Sequence, residues 1–288
     1  MNWRYIVIGI LSVGFLSACS SVRIKEHKEW KKYFDAYEVV GSFEIYDNNK
    51  EIAHYYNKEL CAKQITPAET FDILVALTAL ETVVAKDELK IIEWDGVVRE
   101  HEAWNQDLTL ADAFKLNSTS HIQTLVEEIG KRDMYHYLFA VQYGNMEIGD
   151  STNNFWMDGT LGISPDEQVG FMKRLYHTQL PQFNERSHRI VRGMMFQEEG
   201  ETYRMYYKIG YDKHADPDRV WVVGFVESFQ TRRHVKTKRL ESIPHPHFFA
   251  LTLQANNDKV DLEDVSLKLL WDLLNVNGVG DNVGFEKE

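Results

Sequence analysis

Thr66-Pro67-Ala68-Glu69-Thr70-Phe71-Asp72-Ile73-Leu74-Val75-Ala76-Leu77-Thr78-Ala79-Leu80-Glu81-Thr82 opens with helix-starting residues and then runs on with few polar side chains. Thr66 suits an N-cap, Pro67 the first helical position, and Glu69 completes a Thr-x-x-Glu capping box, so a helix is predicted from Pro67 to about Val84. Phe71, Leu74, Val75, Leu77 and Leu80 put apolar side chains nearly all round it, which makes it central and buried. On its N-terminal side, Val39, Gly41, Phe43 and Ile45 alternate within Tyr37–Tyr46, Asp47-Asn48-Asn49 has turn chemistry, and Ile52–Tyr56 can return as the second strand of a hairpin. On its C-terminal side, residues 108–176 read as helical, with breaks at Gly130, Tyr143-Gly144-Asn145 and Asn153–Pro165. Strands are predicted over Glu201–Ile209, Val220–Glu227 and Phe248–Gln254. A last amphipathic helix carries Leu262, Val265, Leu269, Leu270, Leu273 and Leu274. This order predicts an α+β fold, an antiparallel sheet flanked by helices with a helical subregion.

The chain has 288 residues, with 32 Lys and Arg against 44 Asp and Glu for a net charge of −12. Hydrophobic residues at 44% and charged residues at 26% fit a globular domain and argue against disorder or a multi-span membrane protein. The acidic balance argues against nucleic acid as a partner, because phosphate binding needs clustered Lys and Arg. Two cysteines are too few for a disulfide scaffold. Met1–Arg4 is a short basic region, Tyr5–Phe15 an apolar run too short to span a bilayer comfortably, and Leu16-Ser17-Ala18-Cys19 resembles the bacterial lipobox. The expectation is a leader over 1–18, lipid on Cys19, a tether over 19–33, a domain over 34–277 and a frayed tail over 278–288. Lipid on Cys19 would hold the protein to a membrane of the bacterial envelope, facing the periplasm or exterior. Cys61 then has no disulfide partner and reads as a small buried hydrophobe.

Several strings in order resemble the class D serine β-lactamases and the related penicillin-sensor domains, within the penicillin-binding transpeptidase-like family. Thr66–Asp72 with Ala76-Leu77 and Leu80-Glu81-Thr82 is similar to that family's nucleophile helix. Trp94-Asp95-Gly96 and Ala103–Leu110 are similar to the segment leading to its second motif. Tyr143-Gly144-Asn145 matches its Tyr-Gly-Asn, Asn154-Phe155-Trp156 its pocket-loop tryptophan, and Lys208-Ile209-Gly210 its Lys-[Ser/Thr]-Gly strand, with Trp221-Val222-Val223-Gly224 as the strand that follows. The likeness runs from about Phe34 to Gln254. It implies a β-lactamase/transpeptidase-like fold with a pocket at Glu69, Asp72, Asn117, Trp156, Lys208, Ile209 and Gly210.

The chemistry implied by the resemblance is absent from those positions. The family uses Ser-x-x-Lys, a serine nucleophile with a lysine base one turn on; here the pair is Glu69 and Asp72. The serine of the second motif aligns with Asn117, the hydroxyl of the strand motif with Ile209, and Lys208 and Gly210 remain. An acylated Glu69 would be a labile mixed anhydride, and Asp72 has no serine to activate. Two acids in a first helical turn also satisfy free N–H groups and the helix dipole, each by about 0.3–1 kcal/mol. The expectation is a noncatalytic protein in which Glu69 or Asp72 pairs with Lys208, binding a cell-wall peptide, a β-lactam or a protein partner. No cofactor or metal is expected. Two enzyme readings stay open: Ser118 or Thr70 as a displaced nucleophile, and Glu69 with Asp72 as a general acid/base pair. Arg232, Arg233, Lys236, Lys238 and Arg239 read as a solvated hairpin loop or an anion grip, and His245-Pro246-His247 with His234 as a turn rather than a metal site. Asp212, Asp216 and Asp218 with His214 could bind a cation but read rather as a polar loop beside the pocket.

Overall fold

The computed structural model describes residues 22–151, 153–233, 240–255 and 260–279. The expected leader, Cys19, His234, Lys236, Lys238, Arg239 and the tail from 280 lie outside them.

In chain order the elements are β1 (Arg23–Glu26), α1 (Lys31–Ala36), β2 (Val39–Asp47), β3 (Ile52–Tyr56), α2 (Lys58–Cys61), α3 (Asp72–Glu81), β4 (Ile91–Ile92), β5 (Leu108–Thr109) and α4 (Leu110–Lys115). They continue with α5 (Thr119–Ile129), α6 (Lys131–Ala140), α7 (Pro165–Tyr176), α8 (Glu185–Met195), β6 (Phe196–Glu199), β7 (Tyr203–Asp212), β8 (Arg219–Arg233), β9 (Leu240–Ala255) and α9 (Leu262–Val276). The described residues hold one large sheet in the order β1-β3-β2-β9-β8-β7-β6, antiparallel throughout except that β1 runs parallel to β3. The expected α+β architecture is therefore present, with chain-distant β2 and β9 paired at its centre.

Strand alternation separates two cores. On β8, Trp221, Val223 and Phe225 face the helical subregion with α3, while Val220, Val222 and Val226 face α1 and α9. β9 divides the same way, with Phe248 and Ala250 on the first face and Phe249, Leu251 and Leu253 on the second. Helix α3 is enclosed along its length from Asp72 to Leu80, as its all-round apolar pattern requires.

Four expectations on the fold need correction. The tether expected over 19–33 is part of the domain from Arg23 onward: β1 adds to the sheet edge, and Trp30 is 3% exposed, stacked on His27 and packed on Phe43. The first residues of the tail expected from 278 are packed on the domain, because Val279 is buried and its N–H donates to the Leu274 carbonyl. Helix α8 and strand β6 fill a segment for which no element was predicted. His245 and His247 lie not in a turn but in β9, both buried. Cys61 is buried and unpaired as expected, and burial pushes its thiol up.

Candidate functional site

The site is built where the start of α3 meets β7. The predicted capping box does not form. Ala68 takes a left-handed φ of 50°, so the chain enters the helix through a 3-10 turn over Ala68–Phe71 and Pro67 never becomes the first helical residue. Such a φ is costly for alanine, by about 1–2 kcal/mol, and it is held by burial and by a bond from the Ala68 N–H to the Trp156 carbonyl at 3.1 Å. The turn is also tied to the sheet: the Trp221 indole N–H donates to the Thr66 carbonyl at 2.9 Å.

The consequence is that Glu69 does not cap its own helix. Its Oε2 accepts the backbone N–H of Tyr211 at 2.6 Å, and its Oε1 accepts the Thr119 hydroxyl at 3.3 Å. Gly210 makes this approach possible, since a Cβ there would stand 2.9 Å from the Thr70 nitrogen and 3.1 Å from that of Glu69. Burial raises the Glu69 carboxyl above the usual range, opposed by the bonds from the Tyr211 and Glu69 backbone and by Lys208.

One turn on, Asp72 is fully buried and its Oδ2 lies 2.9 Å from Lys208 Nζ, which is itself buried. The expected pairing across the cleft is thus made by Asp72 rather than Glu69. Lys208 also donates to Asn117 Oδ1 and to the Phe114 carbonyl, and its ammonium lies 4.5 Å from the Phe114 ring centre. The ammonium thus makes two hydrogen bonds and one charge contact, the Asp72 oxygens accepting no hydrogen bond of their own. Asp72 is raised by burial and by the neighbouring Glu69, with Lys208 pulling the other way. Asn117 has a left-handed φ of 51°, which asparagine tolerates, and this turns its side chain toward Lys208.

Five of the seven expected pocket residues come together: Glu69, Asp72, Asn117, Lys208 and Gly210. The other two do not. Ile209 alternates to the opposite face of β7 and packs with the α1/α9 core, so it neither plugs nor lines the cleft. Trp156 is a core residue, fully buried with its ring 5.5 Å from Phe71. Tyr211 and Thr119, the partners of Glu69, were missed because they lie on a strand and a helix that only tertiary contact brings to it.

Above this buried group opens a pocket of about 850 Å³ lined by Glu69, Asn117, Tyr211, Trp104, Lys213 and Glu263, among others. Glu69 and Asn117 form part of its lining, while Asp72 and Lys208 are buried below it. The stacked rings of His101 and Trp104, 5.0 Å apart, belong to the same pocket, as do the basic Arg99 and Lys115.

The displaced nucleophiles have no access to the pocket. Ser118 is fully buried, 2.7 Å from His121 Nδ1, with His121 Nε2 at 3.0 Å from the Gln106 carbonyl. Thr70 is equally buried, donating to the Pro67 carbonyl and accepting from Gln168. The polar loop after β7 is organised by Asp212, which accepts from the backbone of His214 and Ala215 and pairs with Arg219 at 3.2 Å.

Comparison with known proteins agrees with this geometry. Residues 36–239 match the penicillin binding protein transpeptidase domain. The chain is 34% identical over 233 residues to the probable β-lactamase YbxI of Bacillus subtilis, covering 79% of this chain and 86% of that protein. It is 35% identical over 203 residues to the β-lactamase OXA-48 of Klebsiella pneumoniae, covering 70% of this chain and 76% of the relative. Among solved structures, a class D β-lactamase from Sebaldella termitidis superposes with a TM-score of 0.81 at 28% identity, covering 91% of this chain and all of that one.

Proposed function

This chain belongs to the penicillin-binding protein transpeptidase family, with a class D β-lactamase-like fold, and from that premise we propose that it is a noncatalytic member that binds a cell-wall peptide or an envelope partner in the cleft over Glu69. The observation that carries the reading is the state of the two carboxylates. Glu69 stands where a nucleophile would be presented and is held by the Tyr211 N–H and Thr119, while Asp72 is bound to Lys208.

Acyl transfer needs a hydroxyl or thiol nucleophile and a base free to take its proton. Neither carboxylate meets the first need, and the ion pair withdraws Asp72 from the second. Nor do they suit an acid/base pair on a sugar, since Asp72 is sealed from solvent. Loss of members of such a unit typically costs several orders of magnitude in rate.

Binding is a different demand, and the cleft meets it. It is open, with an aromatic wall at Trp104, basic residues Lys115 and Lys213, and the acids Glu69 and Glu263. Such a lining suits a short peptide bearing both carboxylate and amino groups. Lipid on Cys19, as its Leu-Ser-Ala-Cys context suggests, would place this cleft at a membrane surface of the envelope.

The test is incubation with labelled penicillin followed by intact-mass measurement, beside a nitrocefin assay. No adduct and no turnover are expected; either one would overturn the noncatalytic reading. Titration with a cell-wall stem peptide should shift the melting temperature, and Trp104→Ala should abolish that shift.

A further inference from the structure

At the end of β2 remote from the cleft, Asp47, His245 and His247 bring three ligand atoms within 4.8 Å of one another. Asp47 stands directly opposite His247 in the β2–β9 register, and His245 follows two residues earlier on the same face of β9. All three are buried. His245 Nε2 lies 2.6 Å from Asp47 Oδ1, and His247 Nε2 lies 3.6 Å from Oδ2.

The second of these contacts is not a hydrogen bond. His247 Nδ1 is 3.1 Å from the His245 carbonyl, which can only accept, so Nδ1 carries the proton. Without a proton on Nε2, the ring offers that nitrogen as a ligand atom 3.6 Å from Asp47 Oδ2. A backbone carbonyl on the other ring nitrogen is the arrangement that orients a metal-binding imidazole. The 3.6 Å gap is also close to the edge of a tetrahedron around an ion with bonds of about 2.1 Å.

We propose that Asp47, His245 and His247 form a binding site for a divalent transition-metal ion of the Zn²⁺ class. Two imidazoles and one carboxylate suit zinc, cobalt or nickel, whereas calcium and magnesium prefer all-oxygen shells. A pocket of about 320 Å³ adjoins the group, lined by Asp47 and His247 together with His27, Lys50 and His54. Lys50 is the ion's competitor: its ammonium sits 2.9 Å from Asp47 Oδ2, but its side chain is 62% exposed and can swing into solvent. Coordination at His245 Nε2 displaces the proton now shared with Asp47, which leaves to solvent.

The full chain titrated with Zn²⁺ in a calorimeter, and with Co²⁺ followed by visible absorption, tests this. One ion per chain is expected. His247→Gln should weaken binding by roughly tenfold or more and remove the tetrahedral Co²⁺ spectrum. Lys50→Ala, an exposed position with no fold to lose, should tighten binding severalfold. Absence of saturable binding, a His247→Gln protein that binds as the wild type does, or an unchanged affinity in Lys50→Ala overturns the proposal. If His247→Gln does not fold, the Lys50→Ala comparison alone decides it.

Discussion

Replacing Lys208 by methionine removes one ammonium and strands three oxygens. Asp72 loses the charge 2.9 Å away that offsets its burial, and Asn117 and the Phe114 carbonyl lose their donor. Removing one partner of a buried ion pair typically costs about 3–5 kcal/mol, and this pair is sealed from solvent on both sides. The loss should therefore fall in that range. Its pH dependence follows from linkage. Burial already raises the Asp72 carboxyl, and losing Lys208 raises it further, so the folded variant keeps its proton at pH values where the wild type has released it. Where the variant holds that proton and the unfolded chain does not, its stability falls by about 1.4 kcal/mol per pH unit. The variant's penalty is thus larger at pH 9 than at pH 6. Urea unfolding at both values measures it. In the double variant Asp72→Leu/Lys208→Met the share of the loss due to the uncompensated Asp72 charge should return, while Asn117 and the Phe114 carbonyl stay without their donor. Additive effects of the two substitutions, or a single-variant loss below about 1 kcal/mol, would refute the argument that these groups form one buried unit.

Two further outcomes follow from the geometry. Glu69→Gln keeps an acceptor for the Tyr211 N–H but loses the titration. Because burial holds the Glu69 carboxyl above 4.5, the wild type loses stability as pH rises through the window above that value, so the variant should gain on the wild type between pH 4 and pH 7 in parallel urea melts. Trp30→Ala should cost about 3–5 kcal/mol in the same assay, since Trp30 is a core residue stacked on His27 and packed on Phe43; unchanged stability would restore the tether reading of that segment.

Much of the fold is legible in the chain because its elements carry local signals. The β2–β3 hairpin, α3 and α9 announce themselves through alternation and apolar periodicity. Other parts carry little signal. Strand β1 is exposed along all four residues, so its place in the sheet rests on backbone pairing with β3 and not on side chains. Helix α8 is different: arginines at 186, 189 and 192 stand against Ile190, Val191, Met194 and Met195, an amphipathic pattern that the sequence reading passed over. At the site, the Thr66–Glu69 capping box is a sound local pattern that lost to tertiary contact: strand β7 offers Glu69 a backbone N–H, and the left-handed turn at Ala68 delivers it there.

Residue types and spacing alone give this protein an α+β domain, and the resemblance of its motifs to the transpeptidase family adds that acids stand where serine and lysine are expected. The sequence also limits the chemistry, because a side chain that is absent cannot be supplied by folding. It does not say which acid meets Lys208, nor that Ile209 turns away from the cleft. Those outcomes depend on strand alternation and on how closely Gly210 lets β7 approach α3. The same holds for Asp47 and His245, which lie 198 residues apart and meet only because β2 and β9 are neighbours in the sheet. Local propensity acts over a few residues, whereas hydrogen bonds and ion pairs join whatever the packed core brings within about 3 Å.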